Sequence, residues 1–196
     1  MKHQKVEISA EAQREIEKMM SGELYDATRN DALLDILNEV QNMCYDYNQL
    51  RPTQAKERTE LMRTILGRTG KRFKIISPFI CDYGFNIEVG ENFFSNANMV
   101  ILDEAKVTFG DNVFIGPNCS FYTAGHPLDV EQRNAGLEYS WPIKVGNNVW
   151  FGGGVTVVPG VTIGDDVVIG AGSVVTHDIP SGVLAAGNPA KIIKNL

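Results

Sequence analysis

Residues 143–176 read IKVGNNVWFGGGVTVVPGVTIGDDVVIGAGSVVT, and an aliphatic or aromatic residue recurs in this stretch at every sixth position. The recurring residues are Val145, Phe151, Val157, Ile163, Ile169 and Val175. A second set of small residues stands two positions before them, at Val149, Val155, Val167 and Ser173. A repeat of fixed period sets the architecture before any local secondary structure is assigned.

A six-residue unit is too short for a strand and a hairpin return, but it can hold one short strand and a corner. Three such units close a triangular coil of about eighteen residues, and successive coils stack. The repeat therefore predicts a mainly β protein, a parallel β-helix whose recurring apolar residues point inward. Glycine follows four of them, at positions 146, 152, 164 and 170. Here the chain must turn a corner with little room for a side chain, and glycine suits the corner because it tolerates positive φ. An antiparallel sandwich is the alternative, but it gives no reason for a constant period of six.

The period can be followed upstream, where two extra residues interrupt it. It holds through Ile101, but the next inward residue is Phe109, so the extra residues lie within 102–108. This segment contains Asp103 and Glu104. We expect a corner that bulges outward and carries these two acids.

A larger interruption follows Phe121, because the register resumes only at Val145. The inserted loop runs over about residues 123–142 and contains His126 and Glu138. Loops of this length inside a compact repeat are usually functional. We therefore look for a site around this loop.

Residues 1–70 have a different pattern, which predicts a helical cap ahead of a β-helix domain over residues 71–196. Ser9 can cap a first helix through Met20, Thr28 a second helix, and a third runs from Thr53 to about Leu66. The amphipathic helices need a surface to cover, and the open first coil offers one. The cap either does only this, or its segment 22–26 also reaches a ligand.

Composition limits the class of protein. The chain has 196 residues, 43% of them hydrophobic, and a formal net charge of -6, which disfavours generic nucleic-acid binding. We find no signal-peptide pattern in the first twenty residues and no run of eighteen apolar residues, so we expect a cytoplasmic protein with no membrane partner. The three cysteines, an odd number without metal-ligand spacing, are expected to be reduced and structural.

Several motifs together resemble the maltose and galactoside O-acetyltransferases, which are hexapeptide-repeat acyltransferases. They are CDYG at 81–84, NFFSN at 92–96, ILD at 101–103, YTAGHP at 122–127, WFGGG at 150–154 and AGNPAK at 186–191. The resemblance covers nearly the whole chain. It implies a left-handed β-helix, acetyl-CoA as co-substrate with no metal required, and a homotrimer with active sites between neighbouring solenoids.

Acetyl transfer to a sugar hydroxyl needs a base, and His126 is the histidine placed for this role. His3 lies in a polar terminus and His177 in a late coil, whereas His126 stands at the root of the inserted loop. An imidazole can take the hydroxyl proton and pass it to the leaving thiolate. Glu138, from the same loop, is the hypothetical partner that orients His126 through its second ring nitrogen.

The resemblance also assigns an acceptor site to Asp82, Asn96, Asp103 and Glu104, with Asp26 added subject to a one-residue uncertainty in register. Carboxylates and amides suit vicinal hydroxyls. The alternatives are a left-handed corner for Asn96 and a solvated bulge for Asp103.

The coenzyme is expected along the later coils. Gly153 leaves room for the thioester and offers its N–H to the oxyanion, and by resemblance the rest of the coenzyme contacts Ala171, Thr176, His177, Lys191 and Lys194. One relative has a lysine in place of His177 and arginines in place of Lys191 and Lys194. The positive charge is preserved at Lys191 and Lys194, but lysine cannot bind a phosphate in the bidentate manner of arginine. The lysines can alternatively be read as solubilising a terminal tail.

Other functions stay open at this stage. One is acetyl transfer to an antibiotic, a serine or an amino sugar, and another is a non-catalytic hexapeptide scaffold. A zinc hydratase on the same scaffold would need several convergent histidines. Trp141 and Trp150 are candidates for stacking on a sugar or pantetheine, or for packing at a subunit boundary.

Overall fold

The computed structural model describes residues 3–196, so residues 1 and 2 of the expected cap lie outside the described residues. The helices are α1 (Ala10–Ser21), α2 (Asp31–Gln49), α3 (Ala55–Ile65) and α4 (Val130–Asn134). The strands, in chain order, are β1 (Tyr25–Asp26), β2 (Arg68–Thr69), β3 (Phe73–Ile75), β4 (Phe79–Cys81), β5 (Ile87–Val89), β6 (Phe93–Ser95), β7 (Met99–Leu102), β8 (Val107–Phe109), β9 (Phe114–Ile115), β10 (Ser120–Tyr122), β11 (Ala124–Gly125), β12 (Leu137–Ser140), β13 (Ile143–Val145), β14 (Trp150–Phe151), β15 (Thr156–Val157), β16 (Thr162–Ile163), β17 (Val168–Ile169), β18 (Val174–Val175), β19 (Val183–Gly187) and β20 (Ala190–Asn195).

Three parallel sheets form the sides of a triangular solenoid. Face I contains β2, β5, β8, β13 and β16; face II contains β3, β6, β9, β14, β17 and β19; face III contains β4, β7, β10, β15 and β18. Each coil adds one strand to each face, and β20 folds back antiparallel on β19. The parallel β-helix predicted from the six-residue period is confirmed.

The inward residues build the core as predicted. All six recurring apolar residues and the four small residues before them are buried. In the lower coils the core is aromatic, because Phe93, Phe109, Phe121 and Phe151 stack with ring centroids 5.2, 5.0 and 5.3 Å apart. Such pairs add to the stabilisation from burial alone.

The corner glycines confirm the expected lack of room for a side chain, but the positive φ expected with it is wrong. Gly146, Gly152, Gly164 and Gly170 do not have positive φ. A Cβ on Gly152 would instead lie 2.5 Å from the Ala171 amide nitrogen of the next coil. Positive φ occurs two residues later, at residues such as Asn112 and Asn148, because Asn tolerates the left-handed region. Glycine at the predicted positions is therefore required by the close approach of coils.

The edge between faces I and II, the I–II edge, is a ladder of side-chain hydrogen bonds. Asn92 donates to Asn112 (2.9 Å), Asn112 to Asn148 (3.0 Å), and Asn148 to Asp166 (2.9 Å). All four residues have φ between 55° and 58°. The corner conformation and the ladder thus support each other from coil to coil.

The helical segment covers the first coil, as predicted. Ser9 caps α1, but α2 is capped by Asn30 and not by Thr28, because Asn30 accepts from the Leu33 amide. Tyr47 of α2 donates to the Ile75 carbonyl, and Asn48 exchanges hydrogen bonds with the backbone of Phe79. These contacts satisfy backbone groups at the open end of the solenoid.

The cysteines are free and buried. Cys44 of α2 meets Cys81 of β4 with their Sγ atoms 3.7 Å apart, so this pair lies at the contact between cap and solenoid.

Candidate active site

Most predicted site residues follow the strands of face III, on the edge between faces III and I, here called the III–I edge. Asp82 follows β4, Asp103 and Glu104 follow β7, and the loop with His126 leaves after β10. Thr176 and His177 follow β18 two coils later. One edge therefore collects the proposed base, the acids and part of the proposed coenzyme site.

The inserted loop is held by a small antiparallel sheet in the order β1-β12-β11. Strand β1 comes from the cap, between α1 and α2, and its Tyr25 lies opposite Glu138. Strand β11 ends at Gly125, opposite Tyr139. A Cβ at Gly125 would lie 2.6 Å from the Tyr139 hydroxyl oxygen, so a larger residue there would displace the Tyr139 ring.

His126 has one ring nitrogen fixed and one nitrogen free of hydrogen bonds within the described chain. Its Nδ1 lies 3.2 Å from the Leu137 carbonyl oxygen, and since a carbonyl only accepts, Nδ1 carries the proton. In the neutral ring Nε2 then has the lone pair, and Nε2 lies 3.6 Å from Glu138 Oε1. The imidazole is half exposed. The orienting contact predicted for Glu138 is made by Leu137, and Glu138 lies beside the other nitrogen.

Asp103 and Glu104 are buried, so the alternative of a solvated bulge does not apply to Asp103. Asp103 is fully buried and its Oδ1 accepts from the amides of Asp82 (3.1 Å) and Tyr83 (2.9 Å). Its Oδ2 is buried with no partner among residues 3–196. The loop and the cap cover this corner, which is why its acids are removed from water.

Burial raises the pKa of all three acids. The pKa of Glu104 rises to about 9, chiefly by burial and then by the charge of Asp82, and the two side chains are hydrogen-bonded. Burial also raises the pKa of Asp103 to about 7, and that of Asp82, against a hydrogen bond from Gln41. No Lys or Arg in the described part of the chain forms an ion pair with them, so no cation there offsets the cost of burying their charged forms.

Asn96, Gly153 and Ala171 lie on a different edge, the II–III edge, since they follow β6, β14 and β17. The alternative of a left-handed corner does not apply to Asn96, because Asn98 has the positive φ. The Gly153 amide makes no backbone hydrogen bond within the described residues. One side of a coil, roughly 15–20 Å, separates this edge from His126.

The remaining predicted residues are near the ends of the chain. Thr176 Oγ1 contacts His177 Nδ1 at 2.8 Å. Lys191 and Lys194 are exposed on β20. Asp26 lies opposite Leu137 in the small sheet, but its Oδ1 accepts from the Thr28 and Arg29 amides of its own turn.

Two residues that the sequence analysis named only within longer segments also lie in the candidate site. Tyr25 is 1% exposed and donates to Glu138 Oε2 at 2.9 Å. Thr123 Oγ1 donates to the Leu102 carbonyl and lies 3.3 Å from Glu104 Oε2. The sequence signal for Tyr25 was its position next to Asp26, whose register was uncertain by one residue. For Thr123 the only signal was its position at the start of the inserted loop.

The two larger cavities lie away from this site. One of about 700 Å³ contains His3 and Asp46 beside α2 and α3, and one of about 400 Å³ contains Arg58 and Phe73 between α3 and the first coil. Neither includes a predicted site residue.

None of the helices in residues 3–196 is sufficiently long and apolar to cross a membrane.

Comparison with known proteins identifies the family. A family model described as the maltose acetyltransferase hexapeptide capping motif matches residues 18–70, and one described as bacterial transferase hexapeptide (six repeats) matches residues 142–177. Galactoside O-acetyltransferase of Escherichia coli K12 is 44% identical over 156 residues, which are 80% of this chain and 77% of the relative.

Solved structures agree with these matches. The structure of a maltose O-acetyltransferase from Clostridium difficile 630 is 46% identical, with a TM-score of 0.91, over 93% of this chain and 97% of the other. A hexapeptide-repeat acetyltransferase from Vibrio cholerae, complexed with acetyl coenzyme A, is 38% identical, with a TM-score of 0.84, over 93% and 98%. The chain therefore belongs to the maltose and galactoside O-acetyltransferase family of hexapeptide-repeat acetyltransferases.

Proposed function

We propose that the protein transfers an acetyl group from acetyl-CoA to a hydroxyl of a sugar, of the maltose, glucose or galactoside type, by direct attack with His126 as general base. The observation that carries the proposal is the geometry of His126. Its Nδ1–H is held by the Leu137 carbonyl, its Nε2 is free, and half of the side chain is open to solvent. Relatives named for acetyl transfer to maltose and galactosides support the acceptor class.

In the proposed mechanism the acceptor hydroxyl approaches Nε2 and gives up its proton as its oxygen attacks the thioester carbonyl. Glu138 Oε1, beside the same nitrogen, stabilises the imidazolium that forms. The imidazolium then returns the proton to the sulfur of the departing coenzyme A thiolate. Each step is one proton transfer at Nε2, so no change of tautomer is needed.

The oxyanion and the thioester end of the coenzyme use the II–III edge. The Gly153 N–H has no backbone partner in the described chain, which leaves it available to the thioester oxygen. Ala171 follows in the next coil, and the Gly172 amide donates to the Gly153 carbonyl, which fixes the peptide. Thr176, His177, Lys191 and Lys194 are proposed contacts of the distal coenzyme, and Lys191→Ala should raise the KM for acetyl-CoA while leaving that of the acceptor unchanged.

The two edges meet in an assembly, which we propose is a homotrimer. Within one chain a side of the solenoid separates His126 from Gly153, so a complete site needs the II–III edge of a second copy. Face II carries outward apolar residues in register from coil to coil, namely Phe94, Phe114, Trp150 and Val168. Phe114 is 49% and Trp150 56% exposed, as suits a face covered by a neighbour.

An acceptor screen with acetyl-CoA tests the function. Free thiol is followed with glucose, maltose, galactosides and amino sugars, each against a blank without acceptor. Thiol release with a neutral sugar, and an O-acetyl ester in the product, are expected. Release with amine acceptors alone, or with no acceptor at all, would contradict the proposal.

A further inference from the structure

The small sheet β1-β12-β11 joins the cap to the inserted loop, and the junction lies next to the proposed base. Tyr25 of β1 faces Glu138 of β12, 113 positions later in the chain. The Ser140 hydroxyl of the same strand donates to the Met19 carbonyl at the end of α1. The position of Glu138 is therefore set jointly by the cap and the loop.

Tyr25 and His126 contact opposite oxygens of one carboxyl group. The Tyr25 hydroxyl donates to Glu138 Oε2 at 2.9 Å, and Glu138 Oε1 lies 3.6 Å from His126 Nε2. Side-chain exposure increases along this series, since Tyr25 is 1% exposed, the Glu138 side chain 17% and the His126 side chain 50%. The arrangement runs from the core of the cap to the open edge of the solenoid.

The chemistry of the pair gives the hydroxyl a definite role. A carboxylate only accepts hydrogen bonds, so Tyr25 must donate. Burial, together with the charge of Glu138, raises the pKa of Tyr25 far above its ordinary value, which keeps the donor proton in place. Fixing Oε2 leaves Oε1 directed at the imidazole, whereas a glutamate without this bond would sample several rotamers.

We propose that Tyr25 is a positioning residue that holds the Glu138 carboxylate against His126, so that the helical cap takes part in catalysis as well as covering the first coil. The inference rests on the proposed function. Glu138 stabilises the positive charge that His126 gains as it takes the hydroxyl proton, and this stabilisation depends on a carboxylate already in place. Tyr25 supplies that placement without contacting either substrate.

The test compares Tyr25→Phe, Glu138→Gln and the double variant in the thiol-release assay. Tyr25→Phe keeps the ring and removes one hydrogen bond, and we expect kcat to fall by about tenfold with the KM for acetyl-CoA unchanged. Because the hydroxyl acts through Glu138, the double variant should be no slower than Glu138→Gln alone. Fully multiplying effects would overturn the proposal.

Tyr47→Phe is the matched control. Tyr47 is also a buried cap tyrosine whose hydroxyl donates to the solenoid, at the Ile75 carbonyl, but it lies away from the site. Its loss should lower the melting temperature and leave kcat unchanged. An equal fall of kcat in both tyrosine variants would mean that cap stability, and not the position of Glu138, affects turnover.

A crystal structure of Tyr25→Phe gives a readout that does not need turnover. We expect Glu138 Oε1 to leave His126 Nε2, while an unmoved carboxylate would overturn the proposal. If the wild type is active and Tyr25→Phe matches it in rate, the positioning role fails and the proposed function stands. A wild type with no acceptor-dependent thiol release contradicts the proposed function itself, and the crystal structure still decides the role of Tyr25.

Discussion

The I–II and III–I edges of the same solenoid are built in opposite ways. At the I–II edge each corner repeats the one before, and Asn92, Asn112, Asn148 and Asp166 join successive coils by hydrogen bonds. At the III–I edge the corners differ from coil to coil, and the chain inserts residues around Asp103 and then a whole loop. Regularity at one edge lets the solenoid tolerate irregularity at another.

The carboxyl groups of the two edges show the same contrast. Glu91, at the I–II edge, accepts hydrogen bonds from the Lys71 (2.7 Å) and Arg72 (3.1 Å) amides, which lower its pKa. Asp103 and Glu104, at the III–I edge, have raised pKa values because they are buried. The acid at the first edge serves the structure, whereas the acids at the second are buried at a cost in stability, as is common at functional sites.

The largest effect is expected from His126→Ala, which breaks the chemistry of the III–I edge alone. Without the base, acetyl transfer should fall by about 10²-fold or more. The melting temperature should hardly change, because the half-exposed side chain makes only the contacts to Leu137 and Glu138. His3→Ala, which removes a histidine paired with Asp46 on the cap, is the control with unchanged turnover. Near-normal turnover of His126→Ala would refute the assignment of the base.

Asn148→Ala should have the converse effect, on stability and not on rate. It removes two ladder hydrogen bonds and puts alanine at a φ of 57°. Together these should cost about 2 kcal/mol, which lowers the melting temperature by roughly 4–8 °C in a chain of this size. Asn148→Gly loses the same hydrogen bonds but is not strained at positive φ. Its melting temperature should therefore lie between those of the wild type and Asn148→Ala. Equal melting of the alanine and glycine variants would show that the positive φ is not a source of stability.

The regular edge could be predicted from the sequence, and the irregular edge only in part. The six recurring apolar residues from Val145 to Val175 are buried as expected, because an inward position requires an apolar side chain in every coil. The glycine corners and their lack of room for a side chain were predicted correctly, but the predicted positive φ lies two residues later. The contact of Gly152 with Ala171 involves the next coil and is not visible in one unit. Similarly, Thr28 and Asn30 are both competent caps, and only the turn around Asp26 decides between them.

At the III–I edge the period revealed where the chain departs from the repeat, but not what covers the departure. The burial of Asp103 and Glu104 depends on the cap and the loop, which come from distant parts of the chain. The pairing of Tyr25 with Glu138 has the same origin, because it depends on the register between β1 and β12. Local patterns carry no information on such contacts, whereas the resemblance to a family gave the site residues without their environment.

A further expected effect is on the pH dependence of stability, which should differ in sign between the edges. Asp103 and Glu104 hold protons in the folded state up to about pH 7 and 9, whereas in the unfolded chain they lose them near pH 4. Their contribution is therefore complete below about pH 4 and is lost as the pH rises through 7 and 9. The lowered pKa of Glu91 has the opposite effect on stability. Its stabilising contribution is present at neutral pH and is lost as the pH falls.

Melting temperatures of the wild type, Glu104→Gln and Glu91→Gln between pH 4 and 9.5 separate these contributions. Glu104→Gln should reduce the fall of stability above pH 7, since glutamine can still donate to Asp82 but has no proton to lose. Glu91→Gln should reduce the fall at the acid end and leave the alkaline end as in the wild type. If Glu104→Gln retained the full alkaline fall, the burial of Glu104 beside Asp82 could not be its source, and the contrast between the edges would then rest on geometry alone.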